Sequence, residues 1–254
     1  VEQVVEQENK DCTEGSECSN FIETQTQTAV ITNTIGGGSG EYEYISNSAE
    51  IEQAAEQQNK DCENSDCENN LDQEQDVTIT LDGGEEYNSY SAEVEQAAEQ
   101  QNKDCEDSSC ENNLDQFQDV TITAGPSGGG SSGAGSYYVE QEATQKNIGC
   151  SEGSTCTNNL EQSQTVVDPT SDVKQSAVQK NIGCINSICT NDLVQTDPNA
   201  QTTQSNIGCI DSTCVNPSGS GSYYNIGCIN TTLCDGSSSS EGEYGSSHYN
   251  IRCI

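Results

Sequence analysis

The side chains best placed to do chemistry in this chain of 254 residues are its fifteen cysteines, and their spacing decides which chemistry. Fourteen fall into seven local pairs: Cys12/Cys18, Cys62/Cys67, Cys105/Cys110, Cys150/Cys156, Cys184/Cys189, Cys209/Cys214 and Cys228/Cys234. Each pair encloses four or five residues rich in Ser, Asp, Asn, Gly and Thr. Loops of that size and composition suit a tight bend closed by a disulfide. Zinc knuckles space their ligands as C-x2-C with a second pair nearby, and the chain has a single imidazole, His248, so zinc and iron–sulfur ligation are disfavoured. Closing a loop of about six residues stabilises by roughly 2 kcal/mol in the chain-entropy model. Spacing alone leaves open bridges between adjacent copies or between chains. The odd cysteine, Cys253, sits in Tyr249-Asn250-Ile251-Arg252-Cys253, a truncated copy of Tyr224-Asn225-Ile226-Gly227-Cys228. We expect it to form an intermolecular disulfide, the alternative being a buried or free thiol.

The elements that carry these cysteines are written eight times, as runs ending Asn-x-x-Cys at Cys12, Cys62, Cys105, Cys150, Cys184, Cys209, Cys228 and Cys253. Ala49 to Thr80 matches Ala92 to Thr123 at all but four of 32 positions, the mark of a repeat architecture. Counting back in steps of two gives Asn59, Gln57, Ala55, Gln53 and Ile51 in the second copy. The third gives Asn102, Gln100, Ala98, Gln96 and Val94, and the fourth Asn147, Gln145, Ala143, Gln141 and Val139. Asn181, Gln179, Ala177, Gln175 and Val173 follow in the fifth, Asn206 and Gln204 in the sixth, and Asn9, Gln7, Val5, Gln3 and Val1 already stand in the first.

The positions between them drift, so one face is held and the other is free. A constant face of period two is the signature of a strand packed on one side. The same pattern resumes after the second cysteine through Asn69, Leu71, Gln73, Gln75, Val77 and Ile79. Each unit therefore reads as strand, disulfide-clasped bend, strand. A helix over Ala49 to Lys60 is the competing local reading, since Ala, Glu and Gln are good helix formers, but it would have only a meagre apolar face.

Composition bounds how such units are held. Hydrophobic residues make up 30% of the chain, with no Trp and no Met, too few for one large apolar core. A net charge of −36 would ordinarily mean disorder, but the cysteines and the register argue for order. Buried Gln and Asn are satisfied when identical side chains stack on neighbouring strands. The expected fold is all-β, with repeated strand-bend-strand units stacked as a β-solenoid-like or cross-β, amyloid-like array. Gln57, Asn59, Gln100, Asn102, Gln145, Asn147, Gln179, Asn181, Gln204 and Asn206 are its predicted ladder residues. Whether the arms form parallel arches, with arms in different sheets, or antiparallel hairpins is not decided by a period of two. The division is a first repeat at 1–35, a Gly/Ser/Tyr linker at 36–48, repeats at 49–82 and 92–124 separated by a linker at 83–91, a Gly/Ser linker at 125–138, and shortened repeats four to eight at 139–254.

The unit Gln-x-Asn-Ile-Gly-Cys-x4/5-Cys-x-Asn, seen as Gln145 to Asn158, Gln179 to Asn191 and Gln204 to Asn216, resembles the Gln/Asn/Cys repeats of secreted surface proteins in archaea, notably methanogens. It is similar also to the material of disulfide-linked sheaths and extracellular filaments in that group. The resemblance implies a structural subunit of a tube or fibre.

No catalytic constellation competes with this reading. One histidine removes Ser-His-Asp and Cys-His machinery, no P-loop or dinucleotide fingerprint occurs, and the clusters Gly36 to Gly40 and Gly125 to Gly135 read as flexible Gly/Ser loops. The expectation is a protein that is not an enzyme and needs no cofactor. Seven Lys and Arg against 43 Asp and Glu exclude nucleic acid as a partner, because phosphate contacts need cations. Divalent cations are candidate partners of the acidic first half, set against a plainly solvated face. Ten tyrosines fall mostly beside Gly/Ser linkers, as caps of the amide stacks or subunit contacts. Asn230 is the one glycosylation sequon. No apolar run of membrane-spanning length occurs, and the cysteines together with the absence of Met predict a secreted, processed, extracellular form. The expected function is a self-assembling structural subunit of an extracellular sheath, filament or fibre; the alternative is a secreted adhesion or cation-dependent binding module.

Overall fold

The structure is a computed structural model that describes residues 1–13, 15–34, 45–82, 88–124, 135–167, 172–195, 201–215, 222–226 and 247–251. All of its regular elements are strands. In chain order they are β1 (Glu2–Asn9), β2 (Glu17–Thr34), β3 (Ile45–Asn59), β4 (Asp66–Asp82), β5 (Asn88–Lys103), β6 (Ser109–Ala124), β7 (Gly135–Ile148), β8 (Thr155–Val167), β9 (Asp172–Ile182), β10 (Ile188–Gln195), β11 (Gln201–Ile207), β12 (Thr213–Val215), β13 (Ser222–Ile226) and β14 (Ser247–Ile251). The run from Ala49 to Lys60 that could have been helical lies in β3 as far as Asn59.

The strands form two parallel sheets. The first takes the arm before each bend, in the order β1-β3-β5-β7-β9-β11-β13-β14; the second takes the arm after it, in the order β12-β10-β8-β6-β4-β2. Each unit is therefore an arch whose two arms lie in different sheets, and the chain alternates between sheets as it climbs the stack. Hairpins would have put both arms in one sheet with antiparallel pairing. The parallel arrangement brings every residue beside its counterpart: Gln57 pairs with Gln7 and Gln100, and Asn59 with Asn9 and Asn102. In the second sheet Asn69, Leu71 and Gln73 pair with Asn112, Leu114 and Gln116.

One irregularity breaks the count. The pairing of β2 with β4 shifts between Ile22 and Gln25, so that Glu23 and Thr24 stand against Asp72 alone. This bulge absorbs the extra residue of the first copy and returns Gln25 and Gln27 to the inward face.

The interior is layered from the bend outwards. A column of cysteines comes first. Next come the asparagines, then glutamines, then a layer of Ala55, Ala98, Ala143 and Ala177 from one sheet against Leu71, Leu114 and Leu160 from the other. Small faces large in that layer, which fills the narrow space between sheets. Gln53 and Gln96 with Gln73 and Gln116 lie beyond it, and Ile51, Val94 and Val139 with Val77, Ile79, Val120 and Ile122 form the far apolar cluster.

The bends need left-handed backbone. The residue before the first cysteine has positive φ in each described copy: Asp11, Asp61, Asp104, Gly149, Gly183 and Gly208. Asp tolerates that region better than most side chains, and Gly enters it freely. At Gly149 a Cβ would also lie 3.3 Å from the Asp104 Cα of the arch below. Strands reach into stretches that read as linkers: β3 begins at Ile45, β5 at Asn88 and β7 at Gly135. Polar residues there continue as strand because the arch alongside supplies backbone partners for their amides, as in the pairing of Ser46 with Ser89.

Candidate functional site in the stacked interior

Two kinds of column run the length of the stack, one of sulfur and one of amide. Six of the seven sequence-predicted disulfides lie among the described residues: Cys12–Cys18, Cys62–Cys67, Cys105–Cys110, Cys150–Cys156, Cys184–Cys189 and Cys209–Cys214. Each bridges its own arch, with Cα–Cα distances from 5.9 to 6.5 Å. Except for the partly buried Cys18 these cysteines are buried, and they pack on one another as a single cluster. Cys228, Cys234, Cys253 and the sequon at Asn230 lie outside the described residues.

A serine two residues before the second cysteine of each described rung sets the height of the rung. Ser65 donates to the carbonyl of Cys12 at 2.8 Å, Ser154 to that of Cys105 at 2.8 Å, Ser187 to that of Cys150 at 3.0 Å and Ser212 to that of Cys184 at 2.6 Å. Ser108 donates likewise to Cys62. Sequence reading passed these serines over as loop composition. Their signal was a constant position, Ser-x-Cys, in Ser16, Ser65, Ser108, Ser154, Ser187 and Ser212.

The ten predicted ladder residues are all buried. Gln57 donates to Gln7 at 3.0 Å, Gln100 to Gln57, Gln145 to Gln100 and Gln179 to Gln145 each at 2.9 Å, and Gln204 to Gln179 at 2.7 Å. The second proton of each interior amide goes across the arch: Gln57 to the carbonyl of Asn70, Gln100 to that of Asn113 and Gln145 to that of Asn159. The glutamine ladder thus ties strand to strand and sheet to sheet at once. Parallel columns on the inner face read after the second cysteine, though not named there as ladders, run through Gln73, Gln116, Gln162 and Gln195, and through Gln75, Gln118 and Gln164.

The asparagines do more, because both arms contribute one at the same level. Asn59 donates to Asn69 at 3.1 Å, Asn69 to Asn102 at 3.0 Å, Asn102 to Asn112 at 3.1 Å and Asn112 to Asn147 at 3.0 Å. The zigzag continues through Asn158, Asn181, Asn191 and Asn206. Along each sheet the Nδ2 of these buried asparagines donates from earlier to later copy, as from Asn59 to Asn102 and from Asn69 to Asn112. The buried glutamines run the opposite way. Side-chain dipoles of the two kinds of column therefore oppose each other within one core.

In-register stacking has an electrostatic cost on the outside. It stacks Glu52 beside Glu95 and Glu95 beside Glu140 in the first sheet, and Asp72 beside Asp115 and Asp115 beside Glu161 in the second. Strand spacing is about 4.8 Å, where like charges repel by roughly 1 kcal/mol in water. Partial burial, then the neighbouring carboxylates Glu93, Glu140 and Glu52, push the Glu95 carboxyl up. Burial, then Glu161 and Asp72, does the same to Asp115. At the bend Glu106 is raised first by Glu152, then by burial and Glu63. Among the described residues cations relieve a few positions only: Lys10 lies 2.9 Å and Lys60 closer still to Glu8, whose carboxyl is held down by both, and Lys146 lies 2.7 Å from Glu99. Lys174 lies 4.7 Å from the ring centroid of Tyr138, which donates to Glu140.

On the outer face of the first sheet, Val4, Ala54 and Ala97 floor a shallow hollow walled by Glu6, Glu56 and Glu99. Among the described residues no helix is long and apolar enough to cross a membrane. No protein-family model, curated protein or solved structure matches this chain.

Two predictions follow from the geometry. Asn102 takes part in five hydrogen bonds, with Asn59, Asn69, Asn112, Asn147 and the carbonyl of Glu111. Asn102→Ala leaves buried amides unpaired on both sides and should lower stability by about 2–4 kcal/mol in denaturant titration. Asn9→Ala, in the first arch, should cost less than about 1 kcal/mol. The second concerns pH. Carboxyls raised in the folded state bind protons more tightly there than in the unfolded chain, so their contribution to stability is fully present below the unfolded pKa and is lost as pH rises through the folded value. Glu95, Asp115 and Glu106 therefore predict that the thermal midpoint climbs as pH falls from about 7 toward 4, and that added salt raises it more at neutral than at acid pH. A midpoint that falls steadily on acidification would show that other groups govern the acid limb.

Proposed function

We propose that this chain is the structural subunit of an extracellular polymer, a sheath, filament or fibre built by continuing its own stack. The observation that carries the reading is homotypic, in-register stacking: each arch is held by an arch of nearly the same inner face. The surface that receives the next repeat of the chain is thus of the same kind as the surface that would receive another copy. Among the described residues the edges of the stack are β1 and β14 in one sheet and β2 and β12 in the other, all with parallel-strand backbone groups suited to further pairing.

Material properties follow from the same features. Within the arches, clasped bends, amide columns and backbone ladders leave little unpaired backbone for a protease to bind, and the acidic outer face keeps the units hydrated. The disulfides fit an oxidising, extracellular setting. Electron microscopy of purified protein boiled in detergent, with and without reductant, tests the proposal. Regular filaments or tubes that survive boiling and come apart after reduction are expected; dispersed monomers under all conditions would overturn it.

A further inference from the structure

We propose that the stacked disulfides form an exchange relay, in which a thiol introduced at one rung moves through the column and converts clasps within arches into staples between arches. The proposal does not depend on polymer formation. It rests on how the sulfurs of successive rungs are placed. The Sγ of Cys62 lies within 4.8 Å of both Cys105 and Cys110, that of Cys105 of both Cys150 and Cys156, that of Cys150 of both Cys184 and Cys189, and that of Cys184 of both Cys209 and Cys214. At the first rung Cys67 lies within the same distance of Cys12 and Cys18. Each new bridge, such as Cys62–Cys110, runs diagonally from one arm to the opposite arm of the next arch; the sulfurs already lie within reach of each other, and the backbone adjusts as the bridge closes.

The steps balance without an added oxidant. Two electrons and two protons from a small dithiol reduce Cys12–Cys18, and the dithiol becomes a cyclic disulfide. This rung is the natural entry, since Cys18 is only partly buried. The Cys12 thiolate attacks Cys67: the Cys12–Cys67 bond forms, the Cys62–Cys67 bond breaks, and the electron pair leaves on Cys62. Cys62 then attacks Cys110 and frees Cys105, Cys105 attacks Cys156 and frees Cys150, Cys150 attacks Cys189 and frees Cys184, and Cys184 attacks Cys214 and frees Cys209. The proton given up at Cys12 is matched by one taken up where the relay stops. Five disulfides remain, each joining one arch to the next, with thiols at Cys18 and Cys209.

Each step breaks one S–S bond and forms one, so the number of disulfides is unchanged. Fixed proximity replaces the bulk thiol concentration that exchange in solution requires. Burial disfavours the thiolate, so migration is slow at neutral pH and faster in mildly alkaline solution. The product carries covalent links along the stack axis, where the starting protein has only hydrogen bonds, chain connections and packing.

The test is a Cys18→Ser variant made in a Cys253→Ser background, which leaves Cys12 as a starting thiol with no reductant needed. Folded protein is held at mildly alkaline pH, quenched in acid, labelled with a maleimide under denaturing conditions and digested with an acid protease. Mass spectrometry should find most of the label moved from Cys12 to Cys62, Cys105, Cys150, Cys184 and Cys209, with cross-rung peptides such as Cys62–Cys110, and more so at higher pH. Label confined to Cys12 in protein of native strand content would overturn the relay. Should that variant not fold, the Cys253→Ser protein treated with less than one equivalent of dithiol gives the second reading. Thiols separated onto different rungs are expected, and thiols found only as pairs of one rung would overturn it.

Discussion

Everything in this structure depends on the requirement that a buried amide find partners for both its protons and its oxygen. A side-chain amide stripped of water without hydrogen bonds costs kilocalories, and this core holds them at nearly every level. Parallel, in-register stacking meets the requirement repeatedly, because each Gln or Asn finds its own kind one strand away. The geometry that satisfies one arch satisfies the next, so a single solution propagates through the chain. Any shift by one residue would turn the amides to solvent and the carboxylates inward.

That requirement explains the other features. Apolar layers are thin and matched by size, Ala55 against Leu71 and Ala98 against Leu114, because they fill space between polar rows and do not form a separate core. The disulfides close the narrow end, where backbone must turn through left-handed conformations at Asp61 or Gly183. The price of perfect register is borne outside, where Glu52, Glu95 and Glu140 stack as like charges. Later copies relax this, as Lys174 and Val178 replace outward acids of the earlier ones.

Much of this was legible in the residues. The fixed Gln57, Gln100, Gln145 and Gln179, two residues before Asn59, Asn102, Asn147 and Asn181, required a period of two and a shared inner face. Short loops between cysteines located the bends. Parallel arches were not legible from periodicity, since a hairpin presents the same alternation. The distinguishing signal was chemical: residues alike between copies pair along a sheet, while unlike residues within a copy, Ala55 and Leu71, meet across it. The bulge at Ile22 to Gln25 breaks the period of two in the first copy's return arm, and the serine column went unread because a hydroxyl in a loop ordinarily needs no structural partner.

The most direct test is hydrogen exchange of the side-chain amides, read by NMR on protein labelled at Gln and Asn nitrogens. The account predicts that the Nε2 protons of Gln57, Gln100 and Gln145 and the Nδ2 protons of Asn59, Asn102 and Asn147 exchange as slowly as the backbone amides of their own strands. Ladder side chains that exchange freely while the backbone stays protected would contradict it, and would leave the stack held by strand pairing and disulfides alone.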